Sequence, residues 1–166
     1  LYNERKALLH CFSSMLNETV DFCKVVSVKE EDAIYYLTDL TQLEKEKIIE
    51  WIDRYGEHYS ASDLISIMEK VYPDLAAYLS NYRFKNPLLN SYFESYKYQK
   101  VINKILPSFE TVVDEQAHEL EFVEILQPRT TIVDKIDFTN AHGYFVDALG
   151  VEYLGFIQSK CNEYGL

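Results

Sequence analysis

Apolar residues recur at three- and four-residue intervals through most of the chain, the spacing that places them on one face of an α-helix. Leu8, Leu9, Phe12, Met15, Leu16 and Val20 form the first such stripe and predict a helix over residues 3–22, with His10 on its surface and Cys11 in its core. Val25, Val26 and Val28 interrupt that pattern with β-branched residues, so residues 24–28 read as a linker. Lys29, Glu30, Glu31 and Asp32 then open a helix through Ala33, Ile34, Tyr35, Tyr36 and Leu37. The acids there suit the positive end of a helix dipole better than they suit a metal.

The next boundaries are marked by capping chemistry. Thr41 and Glu44 have capping-box spacing, which predicts a threonine oxygen accepting from a first-turn amide and a glutamate returning to the cap amide. The helix they start should bury Ile48, Trp51, Ile52 and Tyr55 and stop at Gly56. Residues 60–63 (Ser-Ala-Ser-Asp) open another, with Leu64, Ile65, Met68 and Val71 on its core face. Pro73 excludes an α conformation at Tyr72, so residues 74–82 form a separate or kinked helix. Asn86 followed by Pro87 is a cap followed by proline at the first helical position, and predicts a helix to Leu106 through Leu89, Tyr92, Phe93, Tyr96, Ile102 and Ile105. Residues 108–126 continue as a helix with Phe109, Val112, Val113 and Phe122 inward and His118 exposed. Helices of this length joined by short turns make a bundle.

After Gln127 the pattern changes. Pro128, Arg129, Thr130 and Thr131 break the helix, residues 132–136 form one short turn, and residues 137–140 have loop chemistry. A boundary at about residue 138 therefore separates a helical domain, residues 1–138, from residues 139–166. Tyr144, Phe145 and Val146 are β-formers and predict a short buried strand ending at Asp147, followed by a tight turn and an amphipathic helix from residues 148–150 toward Asn162. The expected fold class is mainly α: a multi-helix bundle followed by an isolated C-terminal β-strand and helix. A strand without a sheet exposes unpaired backbone, so residues 143–148 should pair with another chain, self-association included, fold back on the helices, or be disordered.

Composition narrows the function. The 166 residues are 48% apolar, enough for a real core. Lys and Arg number 16 against 27 Asp and Glu, and 16 − 27 = −11 argues against direct nucleic-acid binding, which needs clustered cations. Tyr72, Tyr78, Tyr82, Tyr92, Tyr96 and Tyr98 are dense enough for base stacking or a ligand groove, but their helical spacing fits an aromatic core with hydroxyls at the surface better. Cys11, Cys23 and Cys161 are odd in number and without paired spacing, as in reduced cysteines of a cytoplasmic protein. No apolar run is long enough to span a membrane and no signal peptide opens the chain. Because it begins with Leu1, the sequence reads as a piece of a longer protein.

Residues 144–150 (Tyr-Phe-Val-Asp-Ala-Leu-Gly) resemble the opening of PglZ-type domains, which belong to the alkaline phosphatase superfamily and occur in bacteriophage-exclusion (BREX) defence systems. The resemblance implies that Val146 ends a first strand, that Asp147 helps bind a divalent metal, zinc or manganese, in the complete protein, and that residues 151–157 begin the first helix of that domain. It extends more weakly to residues 96–100 (Tyr-Lys-Tyr-Gln-Lys) and Arg129. The family's Ser or Thr nucleophile and later Asp and His ligands have no counterpart before Leu166. Two-metal phosphoryl transfer needs cations fixed on both the attacking and leaving oxygens, which one carboxylate does not provide. By itself this stretch is expected to carry no metal and no catalysis. In the isolated chain Asp147 reads as a cap of the helix starting near Leu149 or a solvated acid, and His142 as a loop imidazole.

Two functional readings follow. In one the chain is the front part of a metal-dependent phosphohydrolase-like protein of phage defence. In the other it is a helical module that docks other defence-system proteins, recognisable by an exposed apolar or acidic surface on residues 41–106.

Overall fold

A computed structural model describes residues 2–11, 16–126 and 128–166. Helices account for 71% of the structure, and no strand occurs among the described residues. The first predicted stripe forms two helices, α1 (Tyr2–Cys11) and α2 (Leu16–Ser27), while Phe12 and Met15 lie outside the described residues. Leu8, expected inward, is exposed. The linker expected at residues 24–28 is mostly helix, because α2 runs on to Ser27. Cys23 and Val26, three apart on one face, are buried in the core, and that burial outweighs the β-branched composition.

A 3-10 helix follows at Glu30–Tyr36 and seats Ala33 and Ile34 in the core. Its acids make no side-chain cap; instead the Glu31 carbonyl accepts the indole N–H of Trp51 at 2.8 Å. Next come α3 (Gln42–Tyr55), α4 (Ala61–Val71), α5 (Pro73–Leu79) and α6 (Pro87–Val101). Their caps are the expected ones: Thr41 accepts from the Glu44 amide, Ser60 from the Asp63 amide, and Asn86 from the amides of Leu88 and Leu89. The Glu44 carboxylate differs from the capping-box expectation. Fully buried, it accepts from the Thr38 amide at 3.1 Å, the Thr38 hydroxyl at 3.0 Å and the Thr41 hydroxyl at 2.8 Å, so it ties the preceding turn to α3. Gly56 ends α3 in right-handed geometry, and what demands glycine there is space: a Cβ would lie 2.9 Å from Ile102 Cγ2.

The helix begun at Pro87 stops short of Leu106. Ile102 is its C-cap, Asn103 turns left-handed, and the buried Gln99 side chain accepts the Leu106 amide at 3.2 Å. Beyond it α7 (Pro107–Glu119) and α8 (Glu121–Ile125) are divided by Leu120 at φ 57°, where one continuous helix was expected. Two packing centres result. Ile34, Ile48, Ile52, Leu64, Met68 and Ile102 have no exposed surface and form an aliphatic core between the 3-10 helix and α3 to α6. Around α6 to α8 an aromatic cluster links Phe84 with Phe93 at 5.4 Å, and Tyr92 with Phe109 at 5.0 Å and Phe122 at 4.8 Å.

After α9 (Arg129–Val133) the chain runs without regular structure to a 3-10 turn at Val151–Tyr153 and then α10 (Leu154–Tyr164). The expected isolated C-terminal β-strand at Tyr144, Phe145 and Val146 is absent: these residues pair with no strand and are 90, 66 and 61% exposed rather than buried. Their β propensity has no neighbouring backbone to act on, and propensity without a ladder makes no sheet. The turn expected after them does form, at Asp147 and Ala148, with Ala148 at φ 55°. α10 packs against α5, where Gly155 permits the contact: a Cβ there would fall 2.3 Å from the Ser80 carbonyl oxygen.

Candidate functional site

Residues 132–149 form an exposed apolar region. Ile132, Val133, Ile136, Phe138, Tyr144, Phe145, Val146 and Leu149 enclose a depression of about 650 Å³, with Asp147 on its border. None of these side chains is buried, and Ile132, Ile136, Phe138 and Leu149 are exposed along with residues 144–146. Local polar chemistry shapes the region instead of a core. Asp137 accepts from the Thr139 amide and hydroxyl and from the Asn140 side chain, which holds its carboxyl below the usual carboxylate range. Gly143 lies against Phe138, where a Cβ would come within 2.9 Å of the ring.

Asp147, the predicted metal ligand, is exposed and accepts from the amide of Ala148 at 3.0 Å. It caps no helix, since α10 begins at Leu154 with no side-chain cap. His142 is likewise exposed in its loop. Among the described residues no group of three or more His, Cys, Asp or Glu side chains could hold a metal ion. The donor set around Asp147 therefore does not fit a divalent cation, which needs several oxygen or nitrogen ligands at once. Of the more weakly matching positions, Tyr96, Lys97, Tyr98, Gln99 and Lys100 belong to α6, and the Arg129 side chain lies outside the described residues.

Two of those α6 residues hold the C-terminal helix in place. Lys97 is 2% exposed and donates to the carbonyl oxygens of Leu79 at 3.1 Å and Ser80 at 2.6 Å, capping the C-terminal end of α5 with a positive charge. Burial lowers its pKa to about 8, with Glu94 acting in the opposite direction. The Ser80 carbonyl that Lys97 takes is the one against which Gly155 packs. Lys100 pairs with Glu152 at 3.4 Å, and Lys160 of α10 pairs with Asp74 of α5 at 2.6 Å. The rings of Tyr78 and Tyr153 meet at 5.2 Å. Lys97 had a signal in the sequence: Leu89, Phe93, Lys97 and Val101 lie at four-residue spacing, so the cation interrupts an apolar stripe. Gly155 had none, because its partner is 75 residues away.

The tyrosines divide. Tyr92 and Tyr96 belong to the aromatic cluster, and the Tyr98 hydroxyl donates inward to the Tyr59 carbonyl at 2.6 Å rather than reaching the surface. Tyr72 and Tyr78 border a second hollow between α3, α5, α6 and α10. No helix among the described residues is long and apolar enough to cross a membrane.

Residues 1–55 match a family described as a domain of unknown function (DUF7863), which covers α1 to α3 and stops short of the C-terminal region. No curated protein and no solved structure matches the chain.

Proposed function

We propose that this chain is a helical interaction module, and that residues 132–149 are the surface by which it engages another protein. The observation that supports this reading is the run Tyr144, Phe145 and Val146, large apolar side chains in solvent on backbone without regular structure. Such a segment gains burial and main-chain hydrogen bonds when a partner adds a strand beside it. The resemblance to PglZ-type proteins names the setting: a bacteriophage-exclusion system, with other defence-system proteins as partners.

The experiment is affinity measurement between the purified chain and purified companion proteins of such a system, with the triple variant Tyr144→Ser, Phe145→Ser, Val146→Ser alongside. Binding that falls at least about tenfold in the variant, with an unchanged circular dichroism spectrum, supports the reading. Equal binding by both proteins contradicts it. Sedimentation of the chain alone separates pairing with a second copy from pairing with another protein.

The resemblance also supports a second reading, in which Asp147 serves a metal-dependent phosphohydrolase. That reading needs ligands beyond the described residues, among which Asp147 belongs to no group of three or more ligating side chains. Its test is phosphodiesterase and phosphomonoesterase activity of the native gene product with zinc or manganese, compared with Asp147→Ala. Activity lost in the variant with the fold intact supports it, and inactivity of both proteins removes it.

A further inference from the structure

The hollow between α3, α5, α6 and α10 has a volume of about 720 Å³, within the range of small-molecule sites. Its floor is apolar, with Leu75 and Val101, and four aromatic rings border it, those of Tyr72, Tyr78, Tyr153 and Phe156. The charged groups at its edge are mainly acidic: Glu50, Asp53 and Asp74 against Lys100. Lys100 is already engaged by the Glu152 carboxylate at 3.4 Å, and it lies 5.5 Å from the centre of the Tyr96 ring. Asp53 accepts from the neutral Asn103 amide at 3.1 Å, a contact that leaves its charge in place. Glu50 and Asp74 are each paired at 2.6 Å with a half-buried lysine, Lys47 and Lys160, whereas Asp53 has no ion pair among the described residues.

Aromatic faces and carboxylates attract the same kind of guest. A ring presents negative potential on its face, and a cation gains from several such faces with a carboxylate beside them. The chain's own lysines use two of these rings: Lys45 Nζ lies 5.5 Å from the Tyr72 ring centre and Lys160 Nζ 5.7 Å from that of Phe156. The net charge of −11 adds a field that concentrates cations at the surface.

We propose that this hollow binds a small organic cation, an amine whose aryl or alkyl body lies on the apolar floor and whose ammonium group sits among the aromatic rings and the carboxylate of Asp53. The site is separate from residues 132–149 and does not depend on their role. An anionic ligand would meet the acidic edge, and a neutral one would gain only the floor.

Three compounds of similar shape test this: 2-phenylethylamine, 2-phenylethanol and phenylacetate, titrated into the full chain and followed by the chemical shifts of Leu75, Val101 and Tyr153. The amine should bind at least about tenfold more tightly than the alcohol, and phenylacetate should not bind. In the variant Asp53→Asn the preference for the amine over the alcohol should disappear. Leu75→Trp fills the floor and should abolish amine binding; the surface variant Asp53→Asn keeps the test decisive should that replacement unfold the chain. No shift at about 10 mM amine, or equal binding of amine and alcohol, would overturn the proposal.

Discussion

The aliphatic core and the segment 132–149 are built from the same kinds of side chain and end in opposite environments. Ile34, Ile48, Ile52 and Leu64 are fully enclosed, while Phe145 and Val146 stand in solvent. What separates them is the availability of a second surface. α3 packs on α2 and the 3-10 helix and α4 packs on α5, and their buried apolar residues join one core cluster within the chain. The apolar depression that residues 132–149 enclose is bordered, among the described residues, by that same stretch. Apolar content alone does not make a core; it leaves an unfinished surface wherever the complementary element is missing.

The largest effect that should distinguish the two regions is truncation. Ile52→Ala should cost about 2–5 kcal/mol, and Phe145→Ser should stay within about 0.5 kcal/mol of the parent in urea denaturation. Equal losses would mean that the segment belongs to the folded core. Next in size is the seat of α10. Gly155→Val sets a side chain against the Ser80 carbonyl, at a cost of about 1–3 kcal/mol, and should speed amide exchange across α10 while α3 and α4 keep their protection.

Lys97 sharpens the comparison through pH. Its pKa in the fold, about 8, lies below the ordinary lysine value, so between that pH and the ordinary value the unfolded chain holds more protons than the folded one, and stability rises with pH. Tyr59 and Tyr78 act in the opposite sense. Both are pushed up to about 12, chiefly by burial, with the Glu31 hydrogen bond adding to the shift at Tyr59, so their contribution is lost as pH rises from about 10 to 12. Stability should therefore climb from about pH 8 to 10 and then fall, and Lys97→Met should flatten the climb and keep the fall. The smallest of these effects is local: Thr41→Ala should cost about 1 kcal/mol through the loss of the α3 cap, read from the thermal midpoint.

The elements legible in the sequence are those whose causes lie within a few residues of one another. Thr41, Ser60 and Asn86 cap helices because an oxygen three or fewer positions from an amide can reach it, and Pro73 divides α4 from α5 by its own ring. Where a distant contact decides, the local signal misleads. Val25 and Val26 look like a linker until the burial of Cys23 and Val26 is known, and Gly56 looks like a helix terminator although Ile102 explains it. Tyr144, Phe145 and Val146 carry the propensity of a strand, yet a strand is a property of two chains of backbone and only one is present. Of the candidate site, the turn at Asp147 and Ala148 was legible, while the Lys97 and Gly155 meeting at Ser80 was not, since three separate elements create it.

Amide hydrogen exchange at Tyr144, Phe145 and Val146, measured in the free chain and again with a bound companion protein, tests the interaction surface most directly. Fast exchange in the free chain that becomes slow in the complex is the expected result. Exchange that stays equally fast in the complex, or that is already slow in the free chain, would contradict a role for this segment as the docking surface.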